Sequence, residues 1–278
     1  MTLKFTKMHG LGNDFVVIDA INQTFDMDSA TIKRLANRNL GIGFDQMLVV
    51  EKSQLNQVDF KYRIFNADGG EVSQCGNGAR CFARFVREQK LSQSDLISVE
   101  TNAGLLQLEM IDSSRVRVNM GIPTFEPSQI PLDTSVRSDQ YKLEINNRVI
   151  RFSALAIGNP HMVIVVDDVT SCDLEILGPI LESHDFFPER VNVGFIQLVD
   201  RQNFKLRVFE RGVGETKACG SGACAAMAAG VQLGILDSNA TALLTGGKLE
   251  LEWQGEGNPV MMTGETAVVF QGEINGLI

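Results

Sequence analysis

The chain has 278 residues, of which 44% are hydrophobic and 21% charged, enough apolar material for one large or two medium domains without disulfides or metals. Its net charge of −9 argues against the basic surface that nucleic acid or an anionic membrane would need, so neither is expected as a partner. The sequence has no apolar signal segment or membrane-spanning run, and a cytoplasmic location is therefore expected.

Short apolar segments separated by Gly, Asn and Ser turns predict many strands, several of them paired as antiparallel hairpins. In the first half, the predicted strands are 3–8, 14–19, 46–51, 59–65, 96–101, 104–110 and 115–120. In the second half, they are 141–145, 148–157, 161–167, 193–200, 204–210, 241–245, 248–253, 259–264 and 266–272. Two predicted helices interrupt them, 29–39 with Ser29 as its cap and 173–183 capped by Asp173.

An internal repeat indicates that the chain consists of two related halves. The stretch KYRIFNADGGEVSQCGNGA (61–79) matches KLRVFERGVGETKACGSGA (205–223) without a gap, at the 144-residue spacing that separates Cys75 from Cys219. Two weaker blocks precede these stretches in the same order. We match Gly12-Asn13 with Gly158-Asn159, and Gly43-Phe44 and Gln46 with Gly194-Phe195 and Gln197. The repeat predicts a domain boundary near residue 120, with halves 1–120 and 121–263.

Each copy of the repeat carries one cysteine immediately before a predicted helix. The helix after Cys75 has one apolar stripe and a face with Arg80, Arg84 and Arg87, which predicts that the helix is partly exposed or pairs its charges. The segment 223–231 is apolar on every side, so we expect it to lie inside a curled sheet. The positive N-terminal end of a helix favours a thiolate and binds anions. We therefore expect Cys75 and Cys219 to have lowered pKa values and the amides after them to hold a carboxylate.

Two facing thiols suit acid–base catalysis at a carbon centre, where a thiolate removes a proton from one face and a thiol delivers one to the other. A redox switch is an alternative, although the sequence has no Cys-x-x-Cys motif. A zinc site is a weaker alternative, because the spacings Cys75-x5-Cys81 and Cys219-x4-Cys224 are untypical, and no metal is expected. A pyridoxal enzyme is disfavoured because no lysine stands out as a Schiff-base candidate.

Six segments, in order along nearly the whole chain, resemble the signatures of the diaminopimelate epimerase family. They are MHGLGNDFVVID (8–19), GIGFDQ (41–46), NADGGEVSQCGNGARCFARF (66–85), GNPHMVIVV (158–166), ERVNVGF (189–195) and FERGVGETKACGSGACAA (209–226). The resemblance implies an α+β fold of two pseudo-symmetric β-barrel-like domains, mostly antiparallel, each around a central helix. It also implies that residues 264–278 return to the first domain and that the protein is a homodimer.

The resemblance further implies a cofactor-independent epimerase that interconverts LL- and meso-2,6-diaminopimelate, in lysine and peptidoglycan precursor biosynthesis. It makes Cys75 and Cys219 the two acid–base residues, with His161 and Glu210 tuning the thiols and contacting the amino groups. Backbone amides of Gly76-Asn77 and Gly220-Ser221 would hold the reacting carboxylate. The remaining substrate-binding residues would be Asn13, Gln46, Asn66, Asn159, Asn192, Glu210 and Arg211.

The residues alone leave simpler interpretations open. A lone asparagine such as Asn13, Asn159 or Asn192 also fits a turn residue that bonds its own backbone. Likewise, His161 fits an ordinary core histidine, and Glu210-Arg211 fits a solvated charge pair at a strand end. The alternative function is another two-cysteine racemase, such as a proline or hydroxyproline racemase, which would not need Arg211 and the asparagine set.

Overall fold

A computed structural model describes residues 2–73 and 75–276 of the chain and separates them into two compact units. Unit 1 comprises Met1–Val118 and Gly264–Ile278, and unit 2 comprises Asn119–Thr263. The last two residues of the predicted returning segment 264–278 lie outside the described residues. Over the described ranges, no helix is both long enough and apolar enough to cross a membrane.

Unit 1 begins with eight strands and two helices. The strands are β1 (Thr2–Gly10), β2 (Asn13–Asp19), β3 (Gln46–Lys52), β4 (Phe60–Asn66), β5 (Glu71–Val72), β6 (Leu96–Thr101), β7 (Gly104–Met110) and β8 (Arg115–Asn119). The helices are α1 (Ser29–Ala36) and α2 (Gly76–Glu88). Helix α2 packs against β1, β2, β3 and β7, so the sheet of this unit surrounds it.

Unit 2 repeats this plan. Its strands are β9 (Tyr141–Ile145), β10 (Arg148–Ala156), β11 (Pro160–Val165), β12 (Asn192–Asp200), β13 (Asn203–Glu210), β14 (Gly214–Thr216), β15 (Asn239–Leu244), β16 (Gly247–Glu252) and, at its end, β17 (Met261–Glu265). Its helices are α3 (Leu174–Glu182) and α4 (Gly220–Gln232), with one 3₁₀ turn at Pro127–Gln129. Helix α4 packs against β10, β11, β12, β13, β15 and β16. The last strand, β18 (Ala267–Asn275), pairs antiparallel with β1 of unit 1.

The two units share one pattern of strand pairing. The order β1-β2-β3-β4-β6-β7 in unit 1 corresponds to β10-β11-β12-β13-β15-β16 in unit 2. In both, the pairs alternate antiparallel, parallel, antiparallel, parallel, antiparallel. The parallel pairs arise where a helix-containing connection joins the strands, because parallel neighbours need a crossover. The predicted fold class, an α+β fold with barrel-like units around central helices, is confirmed.

Strand register corrects one block of the sequence repeat. Phe15 pairs with Gln46 between β2 and β3, and His161 pairs with Asn192 between β11 and β12. Gln46 therefore corresponds to Asn192, and the predicted match of Gln46 with Gln197 is wrong. The similarity of the two Gly-Phe pairs misled the alignment, because Gly43 precedes its strand whereas Gly194 lies inside one.

The predicted helix caps also need correction. Asp28, and not Ser29, caps α1, since its side chain accepts a hydrogen bond from the Thr31 N–H at 2.8 Å. Ser29 is already the first helical residue. Asp173 does precede α3, but its side chain makes no capping bond, and its backbone carbonyl accepts from the N–H of Leu177 instead.

The two central helices differ in polarity. Helix α4 is enclosed as predicted, with every residue from 222 to 230 buried. In α2, the predicted alternatives for the arginine face were partial exposure or paired charges, and exposure does not hold at Arg80, which is 0% exposed. Its guanidinium turns back to the start of its own helix and donates to the Oδ1 of Asn77 at 2.9 Å. The other two arginines on this face, Arg84 and Arg87, form ion pairs with Glu88 and Asp95.

Close packing at the start of α2 yields a first prediction. A Cβ added at Gly78 would clash with the Oη of Tyr62 and lie 3.1 Å from the Cδ2 of Leu48, so Gly78→Ala should lower the free energy of unfolding by about 1–3 kcal/mol. Urea unfolding measures this loss. The control is Gly70→Ala, whose Cβ would meet only the movable carboxylate of Asp68 and should change stability by less than about 0.5 kcal/mol. Equal stability of the two variants would contradict the packing argument.

Candidate active site

The same cap geometry holds both repeat cysteines. Cys75 is the N-cap of α2 and Cys219 is the N-cap of α4. The Cys75 Sγ accepts from the Gly78 N–H at 3.4 Å, and the Cys219 Sγ accepts from the Gly222 N–H at 3.3 Å. Each thiol therefore lies on the end of a buried helix where N–H groups converge and the helix dipole is positive.

In unit 1, the predicted polar residues collect at one edge of the sheet, beside Cys75. Strands β2 and β3 begin at Asn13 and Gln46, and β4 ends at Asn66. Asn13 Oδ1 accepts from the Cys75 thiol at 3.8 Å and from the Asn77 side chain at 3.3 Å. Gln46 donates to Asn66 Oδ1 at 2.8 Å, while its own buried Oε1 has no hydrogen-bond partner among the described residues. This edge can therefore offer an amide acceptor to a ligand.

Asp45 fixes the orientation of Asn13, and the sequence analysis missed it. Its carboxylate accepts from the Nδ2 of Asn13 at 3.0 Å, and a carboxylate at neutral pH can only accept. The Asn13 amide oxygen must therefore face Cys75. Asp14 and Arg38 complete the cluster, and hydrogen bonds from Arg38 and Lys7 hold the pKa of Asp14 well below its usual range despite partial burial. The position of Asp45 directly before Gln46 in the motif GIGFDQ was the sequence signal that could have identified it.

Cys219 has a different electrostatic environment from the predicted one. It is 4% exposed, and burial followed by the charge of Glu210 raises its pKa well above the usual value. The predicted lowering is therefore wrong for Cys219, because loss of hydration and a nearby carboxylate outweigh the helix terminus. Burial also raises the pKa of Glu210, which accepts a hydrogen bond from the Thr216 hydroxyl. Ser221 Oγ lies 3.6 Å from the Cys219 sulfur.

His161 and Asn159 form a second polar contact in unit 2. His161 is 1% exposed, and burial, aided by the charge of Arg211, lowers its pKa to about 3. The imidazole is therefore neutral at physiological pH. Its Nε2 lies 2.9 Å from Asn159 Oδ1, so the Nε2–H tautomer donates to that oxygen.

Asn192 supports the backbone around Arg211. Its Nδ2 donates to the Pro160 carbonyl at 3.0 Å, and its Oδ1 accepts from the Arg211 N–H at 3.0 Å. The Arg211 side chain is exposed and donates to the Glu189 carbonyl at 2.9 Å. Asn192 thus uses both ends of its amide on backbone groups that are distant in sequence, so it is not the turn residue bonded to its own backbone that the simpler interpretation describes.

Equivalent positions in the two units carry different charges. Asn66 ends β4 where Glu210 ends β13, and Arg80 occupies the α2 position that corresponds to Cys224 in α4. Unit 1 therefore has a neutral amide and a buried guanidinium where unit 2 has a carboxylate and a thiol. In unit 2, burial and the charge of Glu210 favour the protonated form of Cys219. Across residues 2–73 and 75–276, no group of three or more His, Cys, Asp and Glu side chains is placed to hold a metal ion.

Comparison with known proteins places this geometry in a family. A family model described as diaminopimelate epimerase matches residues 5–126 and 153–269. The chain is 55% identical to a diaminopimelate epimerase of Nitrosomonas europaea, over 99% of this chain and 100% of that protein. It is 53% identical to the diaminopimelate epimerase of Acinetobacter baylyi, over 99% of this chain and 98% of that protein.

The fold also resembles that of solved structures with distant sequences. A hydroxyproline epimerase from Agrobacterium vitis, with bound trans-4-hydroxy-L-proline, superposes with a TM-score of 0.71 at 13% identity, over 98% of this chain and 92% of that one. At such low identity the similarity concerns the fold alone. The family-model match and the curated relatives cover nearly the whole chain, and they establish that this protein belongs to the diaminopimelate epimerase family.

Proposed function

We propose that this protein interconverts LL- and meso-2,6-diaminopimelate by moving the proton on one α-carbon, without a cofactor. The observation that carries the proposal is the duplicated N-cap, with one cysteine at the start of the buried helix in each unit. A stereocentre is inverted when one group removes its proton and a second group supplies a proton from the opposite face. Two units with equivalent thiols provide such a pair of groups.

The proposed reaction needs one thiolate and one thiol. The thiolate takes the α-proton, the electron pair spreads into the adjacent carboxylate, and the thiol of the other cysteine then protonates the opposite face. Which of Cys75 and Cys219 abstracts depends on the configuration of the substrate. The enzyme ends with thiol and thiolate exchanged, so atoms and charge balance.

We assign the reacting carboxylate to the helix termini, at the backbone amides of Gly76-Asn77 and Gly220-Ser221. Negative charge grows on this carboxylate as the proton leaves. N–H donors that are already oriented toward it stabilise the transition state more than the ground state. The helix dipoles act in the same direction.

The rest of the substrate carries an ammonium on the reacting carbon and an amino acid group at the distal end. We assign the ammonium to Glu210 and His161, since the half-buried carboxylate supplies an anion and the neutral imidazole adds no opposing charge. The exposed guanidinium of Arg211 suits the distal carboxylate. The amides of Asn13, Gln46, Asn66, Asn159 and Asn192 would complete the binding set, directly or, for Asn192, through the backbone that it supports.

We propose that units 1 and 2 are the two catalytic halves, 1–120 with 264–278 and 121–263. The biological setting that we infer is cytoplasmic lysine and peptidoglycan precursor biosynthesis, with the protein acting as a homodimer.

Hydrogen exchange at the α-carbon tests the proposed reaction. The purified protein, with no added cofactor, is incubated with LL-diaminopimelate in deuterated water. Deuterium should enter one α-carbon as the meso isomer forms, and mass spectrometry with chiral chromatography follows both. L-proline and trans-4-hydroxy-L-proline serve as comparison substrates, and exchange with either of them but not with LL-diaminopimelate would favour the alternative racemase function.

A further inference from the structure

The sequence repeat retains an arginine and a glutamate that the proposed reaction does not use. Arg63 and Glu71 recur as Arg207 and Glu215. In unit 1, Arg63 Nε and Nη2 donate to the two oxygens of Glu71 at 2.8 and 2.9 Å. In unit 2, Arg207 donates to Glu215 in the same two-pronged way at 2.7 and 2.8 Å. Both units therefore contain the same bidentate ion pair.

Each ion pair spans the hairpin that leads to its cysteine. Glu71 lies opposite Phe65 between β4 and β5, and Glu215 lies opposite Phe209 between β13 and β14. In both hairpins the arginine is the diagonal neighbour of the glutamate, two residues before the phenylalanine. The two registers are identical, so the pair belongs to the duplicated unit rather than to one local surface.

The hairpin strands are too short to fix the chain by backbone pairing alone. Strand β5 has 2 residues and β14 has 3. The glutamate precedes the cysteine by four positions in each copy, as Glu71 does Cys75. The cysteine therefore lies between two anchors, the ion pair on its N-terminal side and the helix cap on its C-terminal side.

Neighbouring groups orient each arginine further. Arg63 also donates to Glu51 on β3 at 3.1 Å and stacks over the ring of Phe65, with 4.8 Å from its Cζ to the ring centroid. Arg207 also donates to the Val169 carbonyl at 2.9 Å. The four ion-pair side chains are 23–32% exposed, and partly exposed pairs of this kind add little to folding free energy. The planar geometry of two parallel hydrogen bonds, in contrast, strongly restricts where the arginine and the glutamate can lie relative to each other.

We propose that Arg63–Glu71 and Arg207–Glu215 are positioning pairs, each of which sets the location of the thiol in its own unit. The inference rests on the proposed roles of Cys75 and Cys219. A displacement of about 1 Å at a reacting group can cost as much as about 100-fold in rate, so the loss of either pair should impair proton transfer. Because each pair serves one thiol, the two losses should be distinguishable.

Thiol alkylation measured separately at each cysteine tests the proposal. The variants are Glu71→Gln and Arg63→Lys in unit 1, and Glu215→Gln and Arg207→Lys in unit 2. Iodoacetamide labelling is followed across pH by mass spectrometry of the two cysteine peptides. Unit 1 variants should change the labelling rate or pH profile of Cys75 by about threefold or more and leave Cys219 as in the wild type, and unit 2 variants should do the reverse. In each of the four variants, kcat should fall by about tenfold or more, while KM should stay within about twofold of the wild-type value.

Matched ion pairs away from the cysteines provide the controls. Asp112→Asn removes the carboxylate that pairs with Arg115 in unit 1, and Asp237→Asn removes the one that pairs with Arg201 in unit 2. In both pairs the distance from the arginine Nε to the carboxylate oxygen is 2.7 Å. In these control variants, the labelling rates of both cysteines and kcat should equal those of the wild type.

The proposal is overturned if the cysteines of Glu71→Gln and Glu215→Gln are labelled at the same rates as those of the control variants. It is also overturned if each variant changes the labelling of Cys75 and Cys219 equally. Labelling does not require turnover, so it reports on positioning whether or not the protein accepts diaminopimelate. An inactive wild type with unit-specific labelling changes would reject the proposed function and retain the positioning pairs.

Discussion

Replacing either Cys75 or Cys219 with alanine should lower the rate of epimerisation by about 10³-fold or more, because each thiol supplies one of the two proton transfers. Neither alanine variant retains a group that can serve the lost face. The measurement is the conversion of LL- to meso-diaminopimelate in deuterated water, with deuterium content determined in both isomers. The remaining thiol can still exchange a proton on its own face, so slow exchange without inversion is the expected residual activity.

Two other buried cysteines provide matched controls for this experiment. Cys81 lies in α2 and Cys224 in α4, close in sequence to the proposed catalytic residues. Both are 0% exposed and lie inside their helices rather than at the N-caps, so neither thiol is placed to reach a ligand at the helix end. Cys81→Ala and Cys224→Ala should keep kcat near the wild-type value. If Cys219→Ala also keeps it, the two-thiol reaction is wrong.

Glu210→Gln should change both the ionisation of Cys219 and the binding of substrate. The carboxylate contributes to the raised pKa of Cys219, so a neutral amide of the same shape should lower that pKa. The curve of iodoacetamide labelling against pH at Cys219 should therefore move to lower pH. Loss of the proposed partner of the substrate ammonium should lower kcat/KM by about 30-fold or more, the effect of breaking a buried charge pair.

The reciprocal variant in unit 1 controls for this experiment. Asn66→Asp places a carboxylate at the position that corresponds to Glu210, so labelling of Cys75 at neutral pH should become slower while labelling of Cys219 stays unchanged. A Glu210→Gln curve that stays in place or moves to higher pH would show that Glu210 does not oppose the Cys219 thiolate.

Local patterns in the sequence were sufficient for most of the elements. Apart from β5 and β14, the described strands follow alternating or continuous apolar segments bounded by turn residues, and most predicted limits lie within two residues of the observed ones. The two strands that the patterns missed, β5 and β14, are too short to have a periodicity. They exist because Glu71 and Glu215 pair with the neighbouring strand, a contact that an apolar pattern cannot reveal.

The sequence predicted the environments of charged and titratable groups less well than it predicted where these residues lie in the secondary structure. The repeat correctly indicated that Cys219 begins a buried helix, and from this a lowered pKa was inferred. The sign was wrong because burial and the charge of Glu210 act through space, across strands that the sequence does not order. Arg80 is a similar case, since its place on a polar stripe could not decide between exposure and paired charges, whereas the surrounding sheet buries it.

The sequence by itself determined the duplication, the α+β class, the family resemblance and the two cysteines before helices, because all of these depend on residue order and local periodicity. The tertiary structure decided which residues of the two halves correspond, as the pairing of Gln46 with Phe15 and of Asn192 with His161 shows. It also decided that Asp45 orients Asn13 and that the Arg–Glu pairs are bidentate. These features depend on strand register and on the direction of individual donors and acceptors, which are fixed only when separate segments pack together.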